Sequence, residues 1–211
     1  MRKLGLLTIL GVVLAMSTGV ATAAGATLTT TEYEELVALQ SVFADTTSLK
    51  TVAAVESLGR SCQQAGPVSG LMRAERADCD AAIKWIDANV KAVLRIKACA
   101  KQTTVAGRFG CLLPSYTGLR DTIRAVYRAE KRVNSAARTR GFRGRCVLAL
   151  GDDAKSIADV ARMANDMSQM VAAMRRHNVL TTQKWGGLYD ADTAEMEAAG
   201  SKVPVSACPH Q

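Results

Sequence analysis

Histidine is nearly missing from this chain: among 211 residues only His177 and His210 occur. No C-x-x-C pair occurs either, which excludes a thioredoxin-type redox site and leaves an imidazole- or thiolate-built zinc site with weak support. The G-x-S-x-G, H-E-x-x-H, P-loop, G-x-G-x-x-G and EF-hand patterns are absent. Two D-x-D pairs, Asp78/Asp80 and Asp190/Asp192, lack the rest of a calcium loop. Nothing in the sequence calls for a cofactor or supports catalysis. Aromatic residues make up only 4% of the chain, so small and aliphatic side chains must fill the core. Alternating strand-length runs, internal repeats and low-complexity tracts are missing as well.

What is present begins with MRKLGLLTILGVVLAMSTGVATAAGA. Arg2 and Lys3 form a basic start, Leu4 to Met16 is a short apolar stretch, and Ala21-Thr22-Ala23 is a small-residue cleavage site. This pattern predicts a secretory signal peptide over residues 1–24. The stretch falls short of the roughly 20 apolar residues of a membrane span. No transmembrane anchor is expected after its removal, and the product should be secreted or periplasmic. The short basic start and alanine-rich cleavage site point to a bacterial export route.

All six cysteines follow that segment: Cys62, Cys79, Cys99, Cys111, Cys146 and Cys208. An even number in an exported chain predicts three disulfides, with fifteen possible connectivities. Apolar residues recur at helical spacing. They predict helices near Glu32–Ala44, Thr47–Cys62, Gly70–Lys101, Tyr116–Arg140 and Asp152–Asn178, then a short helix near Asp192–Ala199. Thr31 is the expected cap of the first. Residues 103–115, with Gly107, Gly110 and Pro114, read as a loop, and KWGGLYD at 184–190 reads as a turn. Cys79, Ile83, Ile86, Val90 and Val93 form the expected seam of the third helix, with Asp80–Lys84 and Asp87–Lys91 pairs outside it. The fold class is all-α: a disulfide-stapled antiparallel bundle of about five helices plus a short C-terminal helix. Residues 27–180 are expected to form the bundle, and 181–211 a C-terminal segment with a cysteine-anchored tail.

Helix geometry narrows the disulfides. Cys79 and Cys99 share one helix about 30 Å apart and cannot bond. Cys99–Cys111 would staple the connection between the third and fourth helices. Cys79–Cys146 and Cys62–Cys208 are the expected remaining pairs.

Charge is unevenly placed. Residues 119–146, LRDTIRAVYRAEKRVNSAARTRGFRGRC, hold eight Arg and one Lys against Asp121 and Glu130, a net +7. Setting aside Arg2 and Lys3, the remaining 25 basic and 19 acidic residues give +6, so the rest of the mature chain is close to neutral. Arg120, Arg124, Arg128 and Lys131 fall within about 80° on one helix face, opposite Leu119, Ile123, Val126, Tyr127, Val133 and Ala137. Arg140, Arg143 and Arg145 follow around Phe142 in a turn, where an aromatic among arginines suits a base or a membrane interface. Arginine's planar fork suits phosphate and carboxylate groups. A solvated helix face is the commoner use of such a run. The functional expectation is a non-enzymatic binding protein whose Arg120, Arg124, Arg128, Arg140, Arg143 and Arg145 contact an anionic cell-envelope polymer, lipid headgroups or an acidic protein. Nucleic acid fits the compartment poorly.

Two further patterns carry alternatives. Met163, Met167, Met170, Met174 and His177 lie along one helical line, and thioethers with an imidazole suit a soft ion such as Cu(I). Val160, Ala164 and Val171 adjoin the same line, so core packing is the competing use. Glu130 sits on the apolar stripe of the fourth helix, where a carboxylate must pair or hold its proton. Cell-envelope hydrolysis with Glu130 as acid is the second alternative, although glycosidases generally need a second placed carboxylate.

Overall fold

A computed structural model describes residues 26–44, 52–63, 69–150, 154–199 and 203–211. The expected signal peptide, and Asp152 and Asp153 at the start of the fifth expected helix, lie outside the described residues. Among those residues are seven α-helices: α1 (Thr30–Ala44), α2 (Val52–Gln63), α3 (Gly70–Cys99), α4 (Val105–Thr139), α5 (Arg145–Ala149), α6 (Ala154–Arg175) and α7 (Val179–Ala199). A 3-10 turn follows at Val205–Ala207. The protein is all-α and carries three disulfides.

Helix α1 starts earlier than expected because Thr29, not Thr31, caps it. The Thr29 hydroxyl accepts from the Glu32 N–H at 3.3 Å, and the Glu32 carboxylate accepts from the Thr29 N–H at 3.0 Å. This reciprocal capping box satisfies two otherwise unpaired amides. Ser69 caps α3 by accepting from the Met72 N–H at 3.3 Å.

Helix α4 starts eleven residues earlier than its apolar pattern suggested, and residues 105–115 are helix rather than loop. Thr104 caps it, accepting from the Gly107 N–H at 3.0 Å. Pro114 stands inside the helix. An interior proline costs about 3 kcal/mol through its lost hydrogen bond and ring clash. Here Pro114 and Gly110, whose carbonyl would have been its partner, both face solvent. Phe109, Leu112, Leu113 and Tyr116 of the same turns pack on the core, and the Cys99–Cys111 disulfide ties them to α3. Tertiary packing outweighs the local breaker.

The segment KWGGLYD is likewise helical, inside α7, which runs across residue 181 without a break. One of its glycines, Gly186, marks a close approach instead of a turn, whereas Gly187 has open space around it. A Cβ on Gly186 would come within 3.2 Å of the Met170 sulfur. The missing side chain lets α7 lie close on α6 without displacing the Met170 thioether. The real reversal is at His177, which takes φ +52° between α6 and α7. Gly141 (φ +90°) and Gly144 (φ +59°) end α4 as expected and lead into α5, a short helix that the sequence pattern did not reveal.

Helices α3 and α4 form a long antiparallel hairpin, and α6 packs on α4 with α7 on α6. Trp85 of α3 closes the ring by donating its indole N–H to the Tyr189 hydroxyl of α7 at 3.0 Å. The four helices bury one core, including Leu119, Ile123, Val126, Val160, Met163 and Met167. Helices α1 and α2 lie on the opposite side of α3, where Val55, Cys62, Cys79 and Ile83 pack together. Ile86 and Val90 are half-buried, and Val93, the last residue of the expected seam, is 56% exposed. At the base of the bundle, Leu28, Leu36, Phe142, Val147, Leu150 and Val205 form a further cluster.

The disulfides join Cys62 to Cys79, Cys99 to Cys111 and Cys146 to Cys208. The expected Cys79–Cys146 and Cys62–Cys208 pairs are thus corrected. Helix α2 folds back directly on α3, which brings Cys62 to Cys79 with a Cα separation of 5.7 Å. The unforeseen α5 presents Cys146 to the tail instead, with a Cα separation of 4.4 Å from Cys208.

Candidate functional site

Helix α4 turns one side toward α3, one toward α6 and a third outward. Leu119, Ile123, Val126, Val133 and Ala137 are buried, which fixes its rotation. Arg124, Arg128 and Lys131 are consequently exposed on the outer side, at spacings of four and three residues. No carboxylate among the described residues forms an ion pair with any of the three. Lys131 lies 5.4 Å from the centre of the Tyr127 ring, a cation–π contact that steadies its stem.

Two of the six arginines expected to meet a partner are committed within the molecule. Arg120 pairs with Asp121 at 2.7 Å, and its side chain is only 19% exposed. Arg140 pairs with Glu32 and donates to the Thr27 carbonyl at 3.0 Å, joining the end of α4 to the start of α1. Burial alone would raise the Glu32 pKa. Hydrogen bonds from Arg140, Ser69 and Thr29 overcome it and hold the carboxyl below its ordinary value. Arg140→Ser is therefore expected to cost about 1–3 kcal/mol in urea unfolding, since it leaves a buried carboxylate short of its main donor. Retention on anionic ligands should be unchanged in that variant.

Arg143 and Arg145 remain exposed after the turn, with Arg143 donating to the carbonyls of Arg138 (3.1 Å) and Phe142 (2.7 Å). Phe142 itself is 2% exposed and belongs to the basal core, so it does not offer a face to a base or a membrane. Sequence reasoning missed Arg132. It stands at the edge of a groove of about 430 Å³ between α3 and α4, with Arg73 on the same lining. Gly70, Ala74, Ala77, Ser135 and Ala136 complete the groove. Small residues on both helices keep it open, and the signal was the set of alanines facing each other across a hairpin whose register the sequence does not supply.

The methionine line is core. Met163 and Met167 are fully buried, and Met170 and Met174 nearly so, among Ile123, Val126, Val160 and Val171. His177 is exposed beyond them and stacks on Phe109, with ring centres 6.4 Å apart. Glu130 is buried on the α4 stripe and lines neither the α3–α4 groove nor the basal groove of about 510 Å³ at Thr29, Thr31, Glu32, Ser69 and Arg140. Among the described residues, no group of three or more His, Cys, Asp or Glu side chains is placed to hold a metal ion.

No family model matches the chain, and neither a curated protein nor a solved structure matches it.

Proposed function

We propose that this is an exported, non-enzymatic binding module that holds an anionic partner against the outer face of α4 and the turn after it. The observation that carries the reading is the row of Arg124, Arg128 and Lys131, exposed and without an ion-pair partner among the described residues. Arg143 and Arg145 extend it past the end of the helix, and Arg132 with Arg73 flanks it at the α3–α4 groove. Cations on a rigid helix can bind phosphate or carboxylate groups at little ordering cost. Export is supported by the three disulfides, which persist in oxidising compartments. No helix among the described residues is long and apolar enough to cross a membrane.

The test is elution from an anionic polymer column across a salt gradient. The parent protein should elute late. Arg124→Ser combined with Arg128→Ser should elute clearly earlier, with the slope of log affinity against log salt reduced by roughly two. Equal elution of parent and double variant would sink the reading.

A further inference from the structure

A second cationic surface lies at the tip of the bundle, away from the outer face of α4. Two hairpin ends meet there. Cys99–Cys111 and the Arg95 Nε–H donated to the Cys111 carbonyl at 3.2 Å hold the end of α3 to the start of α4. The Phe109–His177 stack then holds that tip to the α6–α7 reversal. Lys97, Lys101 and Arg108 on the first hairpin and Arg175, Arg176 and Lys184 on the second are all exposed. The sequence has no acidic residue between Asp87 and Asp121, nor between Asp166 and Asp190. The carboxylates of the second hairpin lie toward its other end, where Asp159, Asp192 and Glu195 surround Arg162.

The same tip leaves aliphatic side chains in water. Leu180 is 79% exposed, Val93 56%, Leu94 53%, Val105 47% and Ile96 45%. Isolated exposed aliphatics are ordinary, but here they stand on the same helix ends that carry the exposed cations. A soluble polyanion would use the cations and leave the aliphatics wet. An anionic lipid surface uses both: headgroups pair with Lys and Arg while Val, Leu and Ile enter the acyl boundary. Lys184 lies over the half-buried Trp185 ring at 5.3 Å, which places an indole beside one of these cations, as interfacial aromatics are placed.

We propose that the bundle tip formed by the α3–α4 and α6–α7 hairpin ends docks peripherally on an anionic phospholipid surface. This does not rest on the α4 reading, since it uses different residues.

The experiment is sedimentation of the disulfide-intact chain with vesicles of phosphatidylcholine alone or mixed with phosphatidylglycerol. The parent should pellet with the mixed vesicles only. Val93→Ser with Leu180→Ser should lower the partition coefficient at least about tenfold, and Arg175→Gln with Arg176→Gln roughly tenfold. These four side chains are exposed, so thermal unfolding should match the parent and confirm that the variants fold. Arg124→Ser with Arg128→Ser should pellet like the parent. The proposal is overturned if mixed vesicles do not bind the parent, or if the Val93/Leu180 variant binds as well as the parent. The second outcome would assign the tip to purely electrostatic contact with an acidic polymer or protein.

Discussion

Replacing Cys146 and Cys208 together with alanine is expected to lower the unfolding free energy by about 4 kcal/mol, the largest loss among the three bridges. The bond spans a sequence separation of 62, against 17 for Cys62–Cys79 and 12 for Cys99–Cys111. A longer closed loop removes more freedom from the unfolded chain, and the corresponding figure for either short loop is about 3 kcal/mol. The bridge also pins contacts that have no other covalent support. The Leu28 N–H donates to the Pro209 carbonyl at 2.8 Å, and the Gln211 N–H to the Leu28 carbonyl at 3.1 Å. Val205 sits in the basal core beside Cys208. Urea unfolding of each alanine pair under non-reducing conditions gives the ranking. If either short-loop pair proves the costlier loss, the tail is held chiefly by its packing and hydrogen bonds.

Asp78→Asn is expected to stabilise the protein at pH 8 and to have little effect near pH 4. Asp78 lies on α3, and its Oδ1 is sealed from solvent with no hydrogen-bond partner among the described residues. Burial pushes its pKa from 3.8 up to about 7. The folded state therefore keeps a proton that the unfolded chain releases near pH 4. Between these values stability falls by about 1.4 kcal/mol per pH unit as pH rises. The loss levels off above pH 7 after a total of up to about 4 kcal/mol. The asparagine variant carries no such slope. Denaturation midpoints of both proteins at unit steps from pH 4 to pH 8 should diverge steadily and then run parallel. A gap that is the same at every pH would show that Asp78 ionises freely in the folded state.

The sequence showed the helices best where burial repeats on one face. The stripe from Leu119 to Ala137 and the methionine line of α6 follow directly from residue spacing, because each keeps one face of its helix buried: the methionines and Leu119 to Val126 in the four-helix core, Val133 and Ala137 in the basal cluster. It misled where a local breaker is overruled by packing. Pro114 and Gly186 have strong intrinsic preferences against a helix, and both stand in one because neighbouring side chains gain more by docking there. The disulfides show the same division. Cys99–Cys111 depends on one hairpin, while Cys146–Cys208 depends on α5, five residues long and too short to show a period.

Charge was legible as composition and less so as surface. The +7 segment stands out in sequence, yet Arg120 and Arg140 are committed to Asp121 and Glu32, and the distant Glu32 could not be paired with Arg140 without knowing how α1 meets the end of α4. The cations of the bundle tip drew no notice because they are spread over two hairpins about 80 residues apart in sequence. Their one linear trace is the pair of acid-free stretches, 88–120 and 167–189.

The order of the cysteine pairs bears on how the protein is made. Each cysteine bonds with its nearest unpaired neighbour along the chain: first with second, third with fourth, fifth with sixth. For a chain that meets its oxidant N-terminus first, simple pairing in order of emergence reaches the native set. A thiol oxidase would suffice for such a product, and a disulfide isomerase would have no wrong bonds to repair. The two short loops would close while synthesis or export continues, and only the third bond would wait for Cys208 to arrive.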